Sequence, residues 1–254
     1  MSLIELRSVV KRFGAQLVLD HIDLHVEEGE CLVILGASGS GKSVMLKHMV
    51  GLLQPDSGEV WFAGRRVDQL TERQWASVRT QFGFLFQMGA LFDSMTVEEN
   101  VAFPMVEHSK FSPEEISARV DRWLGLVGLP EVRNRMPAEL SGGQRKRVAL
   151  ARAIALEPRV ILYDEPTTGL DPIRADIINE LILKLQRELK ITSVVVTHDM
   201  HSAFKVATRL VMLSGGKLIF DGTAEEIQRS EVPEVRRFVL GKADEEELAK
   251  IRSL

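Results

Sequence analysis

Residues 30–43 read ECLVILGASGSGKS, and this stretch decides the fold. An apolar run at 32–35 enters a glycine-rich turn, and a periodic segment at 42–50 leaves it. The order predicts a strand, a loop and a helix, with Gly-x-x-x-x-Gly-Lys-Ser as the loop. The stretch therefore indicates an α/β protein organised around this loop.

The loop has the chemistry to bind a polyphosphate. Gly36, Gly39 and Gly41 permit backbone turns with positive φ that point successive N–H groups inward. The following helix offers unpaired amides and the positive end of its dipole to an anion. Lys42 is placed to reach the outer phosphates and the Ser43 hydroxyl to ligate Mg²⁺. A glycine-rich surface turn with an exposed lysine is the alternative, and the flanking strand and helix argue against it.

Composition limits the classes of function. The chain has 254 residues, 45% hydrophobic and 27% charged, which is ordinary for a globular protein with a sizeable core. A net charge of -4 gives no electrostatic case for a nucleic-acid partner, and the basic run 145–147 is interpreted as a solvated helix face. Cys31 is the single cysteine, so no disulfide forms within the chain. Without a signal peptide or an apolar run of about eighteen residues, a membrane role is expected to depend on a partner.

The first part of the sequence predicts mainly strands, and a helical region follows it. Residues 4–28 predict two or three strands, and short strands follow at 59–62 and 82–86. Phe13, between the first strands, either joins the core or stacks on a base from an exposed loop. Residues 88–156 then predict an inserted helical subdomain, because capping boxes at 96–99 and 112–115 precede helical periodicity.

A second anion site is predicted where Leu-Ser-Gly-Gly-Gln at 140–144 opens a helix. Two glycines beside a serine at a helix start leave backbone amides exposed at the positive dipole end. The chain thus carries two such sites about a hundred residues apart.

Acidic residues follow a buried strand at 160–163. Asp164 and Glu165 come directly after it, at the edge where ligands lie in open parallel sheets. Asp171 begins a long amphipathic helix, and the next apolar strand, 193–197, ends at His198. Strand, helix and strand in succession predict a parallel pair with a right-handed crossover.

With these motifs in this order, residues 1–230 resemble the ATPase subunits of ABC transporters. The resemblance implies a P-loop NTPase core with a mainly parallel sheet, an N-terminal antiparallel β subdomain, the inserted helical subdomain at 88–156 and a C-terminal helical tail at 231–254. It also implies ATP and Mg²⁺ as cofactors. A P-loop small-molecule kinase would leave residues 140–144 unexplained.

The resemblance assigns a role to each motif. Glu165 is the implied catalytic base, His198 the switch histidine and Asp171 the D-loop acid, while Phe13 stacks on adenine where the family commonly has tyrosine. Lys42 joins Glu165 and His198 as a catalytic group. The implied ATP-binding residues are Phe13, Gly36, Ala37, Ser38, Gly39, Ser40, Gly41, Lys42, Ser43 and Gln87. The implied Mg²⁺ ligands are Ser43, Gln87 and Asp164, and the residues that contact a partner's ATP are Ser141, Gly142, Gly143 and Gln144.

The resemblance makes residues 36–43 the Walker A motif and residues 141–144 the signature. One of each per chain implies a head-to-tail homodimer with ATP in its interface. The resemblance further implies polytopic permease subunits as partners and a place at the cytoplasmic face of the inner membrane. A soluble ABC ATPase acting on ribosomes or DNA is an alternative, but it tends to have two nucleotide domains or long coiled-coil insertions. An importer or exporter ATPase for a non-lipid substrate is another.

A narrower resemblance lies at 86–104, where Gly-Ala-Leu-Phe at 89–92 is similar to the ATPases of Mla-type (Mce-associated) phospholipid transporters. It implies phospholipid cargo, with an Mce-domain protein and a lipid-binding protein in the same complex. Residues 88–103 are also rich in apolar side chains, and a surplus facing outward would form a groove for a permease helix. Residues 244–254 predict a helix with a thin apolar stripe, either a docking arm or a solvated terminus.

Overall fold

The computed structural model describes residues 2–243. The strands are β1 (Ser2–Phe13), β2 (Gln16–Glu27), β3 (Cys31–Leu35), β4 (Ser57–Phe62), β5 (Arg65–Arg66), β6 (Phe82–Leu85), β7 (Val160–Asp164), β8 (Thr192–Val196), β9 (Arg209–Ser214) and β10 (Lys217–Gly222). The helices are α1 (Lys42–Met49), α2 (Glu72–Arg79), α3 (Val97–His108), α4 (Pro113–Leu126), α5 (Gly142–Ala153), α6 (Pro172–Leu189), α7 (Met200–Val206), α8 (Ala224–Gln228) and α9 (Pro233–Val239). The helix predicted at 244–254 lies outside the described residues.

Two sheets organise the chain, as the sequence predicted. The N-terminal sheet has the order β2-β1-β4-β5 and is antiparallel throughout. The central sheet has the order β10-β9-β3-β8-β7-β6 and is parallel except where β10 returns beside β9 as a hairpin. The fold is therefore α/β, with an antiparallel N-terminal sheet and a mainly parallel central one.

The central strands are apolar because both faces of their sheet are covered. Every residue of β3 and β8 is buried, as is β7 up to Asp164, and this continuous burial is typical of a parallel sheet. One face packs against the N-terminal sheet, α1 and α2, and the other joins a single apolar cluster with α3–α7. Cys31 lies fully buried within that second cluster.

Local capping fixes where the helices begin. The capping boxes predicted at 96–99 and 112–115 are both present, with reciprocal bonds between the N-cap and the third helical residue, and Thr223 forms another. At the start of α2, the Thr71 N–H donates to Gln74 Oε1 at 2.9 Å. Helices α3, α4 and α5 all occur between β6 and β7, where the inserted subdomain is predicted. The domain bounds 1–230, 88–156 and 231–254 remain predictions.

The topology gathers four loops at one edge of the sheet. Strands β3, β8, β7 and β6 are neighbours and run in the same direction, so their carboxyl ends lie side by side. The phosphate loop, His198, Glu165 and Gln87 follow these four ends. Among residues 2–243, no helix has the length and apolarity required to cross a bilayer.

Gly83 lets α5 approach β6 closely, and replacing it tests that contact. A Cβ at this position would lie 2.5 Å from the Ala153 carbonyl oxygen, so Gly83→Ala forces β6 and α5 apart. We expect the free energy of unfolding to fall by about 1–3 kcal/mol, measured by urea denaturation.

The matched control is Gly125→Ala in α4, where a Cβ would meet no atom within 4 Å outside its own helix turn. Because alanine favours helix by about 1 kcal/mol over glycine, this variant should be at least as stable as the wild type. Equal stability of the Gly83→Ala variant and the wild type would contradict the close approach.

Candidate functional site

The loop between β3 and α1 has the backbone geometry of an anion cradle. Gly36 and Gly41 have φ of 152° and 106°, and a Cβ on Gly36 would lie 2.3 Å from the Leu213 carbonyl oxygen. Gly41 is also the N-cap of α1, and no side chain caps the helix there. The first amides of α1 therefore lack a side-chain acceptor, which suits them to an anion.

Lys42 is folded into this loop. Its side chain is 6% exposed, and Nζ donates to the carbonyl oxygens of Gly36 at 2.8 Å and Ala37 at 3.0 Å. Glu165 Oε1 lies 3.9 Å from the same nitrogen. Burial lowers the Lys42 pKa, while the charges of Glu165 and Asp164 act in the opposite direction. The ammonium thus lies at the bottom of the cradle, close to two carboxylates.

Ser43 and Asp164 meet across the sheet edge although 121 residues separate them in sequence. Ser43 Oγ donates to Asp164 Oδ1 at 2.8 Å. A hydroxyl and a carboxylate oxygen side by side are hard ligands, and Mg²⁺ is commonly held by one or two such groups together with substrate phosphates. The pair therefore fits the Mg²⁺ site that the sequence predicted.

Glu165 is held through both its backbone and its carboxylate. Its backbone is in the left-handed region, with φ of 50°, and its N–H donates to the Val196 carbonyl oxygen at 2.9 Å. Thr168 Oγ1 donates to the carboxylate at Oε2, 3.0 Å away, and His198 Nδ1 lies 2.9 Å from the same oxygen. The carboxylate is consequently fixed between the phosphate loop and His198.

A cavity of about 460 Å³ is lined by nine of the eighteen predicted site residues. Its lining residues are Phe13, Val18, Ser38, Gly39, Gly41, Lys42, Ser43, Val44, Gln87, Glu165 and His198. Phe13 is 48% exposed beside Val18, which resolves its place in favour of an exposed aromatic rather than a core residue. Apolar side chains and the cradle line the same cavity, a combination that suits a molecule with a flat ring and a polyphosphate.

Sequence reasoning missed Val18 and Thr168. Val18 belongs to an alternating strand and carries no pattern that separates a cavity wall from core. Thr168 follows Glu165 by three residues, and its role depends on a turn that the sequence alone does not specify. The basic run 145–147 was also interpreted wrongly in part, because Lys146 is 6% exposed rather than solvated.

The predicted signature and D-loop residues lie apart from this cavity. Ser141 caps α5 and forms a capping box with Gln144, while Asp171 caps α6 and accepts from the Arg174 N–H. Within residues 2–243, neither 141–144 nor Asp171 lines the cavity. The glycine-rich start of α5 therefore does not line the cavity of its own subunit.

A family model described as "ABC transporter" matches residues 19–168, which include the phosphate loop, the start of α5 and both acids. The chain belongs to the ABC transporter family. It is an ATPase. This assignment excludes the small-molecule kinase.

Two curated ABC relatives match the chain over nearly its whole length. The intermembrane phospholipid transport system ATP-binding protein MlaF of Haemophilus influenzae is 40% identical over 243 residues, 96% of this chain and 92% of MlaF. The probable ribonucleotide transport ATP-binding protein mkl of Mycobacterium leprae is also 40% identical, over 94% of this chain and 69% of mkl.

Solved ABC cassettes share the fold. The dimeric structure of the ATP-binding cassette MJ0796 bound to ADP and Pi superimposes with a TM-score of 0.81 at 35% identity, covering 87% of this chain and 98% of that one. That relative was captured as a dimer after hydrolysis.

Removal of the Ser43 hydroxyl tests the metal site. Ser43→Ala deletes one oxygen of the Ser43–Asp164 pair. The Mg²⁺ concentration for half-maximal ATPase activity should therefore rise at least about tenfold, the effect expected when a metal ligand or its supporting partner is lost. The measurement is a Mg²⁺ titration at saturating ATP.

Ser40→Ala is the matched control. Ser40 Oγ lies in the same loop, buried and without a hydrogen-bond partner among the described residues, so its removal should leave the Mg²⁺ requirement unchanged. Equal Mg²⁺ titrations for Ser43→Ala and the wild type would place the metal elsewhere.

Proposed function

We propose that the chain is the ATP-hydrolysing motor subunit of a membrane transporter that moves phospholipid. The observation that carries the hydrolytic part is the convergence of the Ser43–Asp164 pair and the Glu165–His198 pair on one cavity with the phosphate loop. Each pair joins residues at the ends of different strands. The Ser43–Asp164 pair suits Mg²⁺ binding, and the Glu165–His198 pair suits activation of the attacking water.

The chain's own residues divide the chemistry between them. The amides of 36–43 and the Lys42 ammonium bind the outer phosphates and offset their charge. Ser43, Asp164 and Gln87 would hold Mg²⁺, which supplies further charge neutralisation when bound. Glu165 orients and deprotonates the attacking water, and His198 keeps the Glu165 carboxylate directed at it. General-base assistance of this kind is worth about 10²–10⁴-fold.

The composite site requires two copies of the chain. Residues 141–144 offer backbone amides at the start of α5 outside their own cavity, so we infer that they close the cavity of a partner subunit. The dimeric state of MJ0796 supports this arrangement for a related cassette. ATP would then form part of a two-fold interface and favour the dimer by mass action.

Glu165→Gln tests hydrolysis. The amide keeps the size of the side chain but cannot take a proton, so ATP should bind with near-normal affinity while turnover falls at least about 10²-fold. The ATP-bound dimer should then accumulate. Phosphate release measures the first effect, and light scattering with and without ATP measures the second.

A second substitution in the Glu165→Gln variant tests the dimer interface separately from hydrolysis. Adding Ser141→Arg to Glu165→Gln puts bulk and charge at the exposed start of α5 and leaves the subunit's cavity intact, so the ATP-dependent dimer should disappear while ATP binding persists. Turnover of Glu165→Gln at the wild-type rate would remove Glu165 from the mechanism, and dimerisation of the double variant would exclude the composite site.

Phospholipid as cargo rests on two observations. MlaF, named for phospholipid transport, matches the chain over 92% of its own length, and residues 86–104 are similar to Mla-type ATPases. The proposed partners are polytopic permease subunits, an Mce-domain protein and a lipid-binding protein, with the ATPase at the cytoplasmic face of the inner membrane. The equal identity to mkl, named for ribonucleotide transport, favours a non-lipid substrate as the second candidate.

An apolar groove is the proposed contact with the permease. It has a volume of about 310 Å³, and its lining includes Phe84, Phe86, Phe92, Phe103 and Pro104. Phe92 is 41% exposed, whereas Leu91 packs on the core and Val97 is fully buried. Of the apolar residues considered in the sequence, Phe92 therefore contributes to the groove, and Val97 stabilises the core.

Phe92→Asp tests this contact without disturbing Leu91. A carboxylate in the groove should prevent an apolar permease helix from docking, so co-purification of the permease from native membranes and lipid transfer between vesicles should both be lost. Nucleotide binding by the ATPase subunit should remain within about twofold, because the substitution lies outside the cavity.

Val106→Asp is the control, since Val106 is 61% exposed on α3 and does not line the groove. It should retain the permease. If Phe92→Asp also retained the permease, the coupling surface would lie elsewhere. If the wild-type complex transported a non-lipid substrate and not phospholipid, the cargo would be the non-lipid one.

A further inference from the structure

Lys146 is a buried cation that the site described so far does not use. It lies in α5, two residues after Gln144, with 6% of its surface exposed. Its Nζ donates to the carbonyl oxygens of Pro166 and Thr168, each at 2.7 Å, with a longer contact of 3.4 Å to that of Glu165. Among residues 2–243, Lys146 forms no ion pair with a carboxylate.

The three carbonyl groups are what make this burial tolerable. A buried charge is costly unless hydrogen bonds replace its hydration, and an ammonium has three donors to place. Burial lowers the Lys146 pKa to about 8. Three hydrogen bonds thus join the Lys146 side chain to the turn at 165–168.

That turn determines where the Glu165 carboxylate points. Glu165 has φ of 50°, a conformation that costs a non-glycine residue about 1 kcal/mol or more. Thr168, whose carbonyl Lys146 binds, also donates its hydroxyl to Glu165 Oε2. Lys146 therefore contacts the backbone on both sides of the turn, at its first residue and at the residue that orients the carboxylate.

We propose that Lys146 is a positioning residue for hydrolysis, which holds the turn at 165–168 against α5 and so keeps Glu165 in line with the attacking water. The inference rests on the proposed role of Glu165 as the base. The inference also links two sites within one subunit. Helix α5, which Ser141 caps, starts with the residues proposed to contact the partner's nucleotide and also carries Lys146, which positions the base of its own subunit.

Arg147 provides a matched control in the same helix. Its Nη1 donates to the carbonyl oxygens of Val127 at 3.1 Å and Gly128 at 3.2 Å, beyond the end of α4. Like Lys146 it is a basic side chain that joins α5 to backbone carbonyl groups, but it does not contact residues 165–168. Replacing Arg147 therefore measures how much kcat changes when α5 loses a contact that does not involve the turn at 165–168.

The experiment compares Lys146→Met with Arg147→Gln in the full-length chain with Mg²⁺-ATP. Lys146→Met keeps the length of the side chain and removes its donors. We expect kcat to fall at least tenfold while KM and the Kd for ATP stay within twofold, because the binding cavity is unchanged. Arg147→Gln should keep kcat within twofold, even where thermal denaturation shows lower stability.

Two further variants separate positioning from loss of folding. In single-turnover assays, Lys146→Met combined with Glu165→Gln should be no slower than Glu165→Gln alone, since Lys146 acts through Glu165. Lys146→Gln retains two N–H donors and should restore part of the lost kcat.

A wild-type kcat for Lys146→Met would overturn the inference, as would independent, multiplying losses in the double variant or an equal fall in kcat for Arg147→Gln. A normal turnover of Glu165→Gln is a different result: it would refute the proposed base itself, whatever Lys146→Met does.

Discussion

The parallel pairing of β3, β8 and β7 is the constraint on which the site depends. β8 lies between the strand that carries the phosphate loop and the strand that carries both acids, in register with each. Their common direction places Ser43 beside Asp164 and His198 beside Glu165. Because all three strands are buried on both faces, the positions of these side chains are set by the core rather than by the loops alone.

Helix α5 is the second organising element. Its N-terminus presents the signature, its basic side chains bind backbone carbonyl groups of neighbouring segments, and its last residue packs against Gly83 of β6. Arg152, near its C-terminal end, donates to the Gly89 carbonyl oxygen at 3.0 Å, two residues beyond Gln87. Helix α5 thus contacts both the segment after β6 and the segment after β7, so a rotation of α5 would displace both segments.

The features predicted correctly from the sequence are those encoded by short local patterns. The turn between β3 and α1, the acids after β7 and the capping boxes each occupy a few consecutive residues, so their local conformation depends little on distant segments. Val18, Thr168 and Lys146 differ, because their roles follow from which segments approach them in space. Lys146 is the sharpest case: in a basic run it resembles a solvated residue, and only the position of the turn at 165–168 explains its burial.

The buried state of Cys31 has a practical consequence. Burial raises the pKa of this thiol to about 12, and no part of the residue is exposed on β3. A thiol held in the neutral form and shielded by the sheet reacts slowly with maleimide reagents. Since the sequence has no other cysteine, a cysteine introduced at an exposed position could carry a fluorophore or spin label in the otherwise native chain. Distances between two such labels would then report subunit closure during turnover.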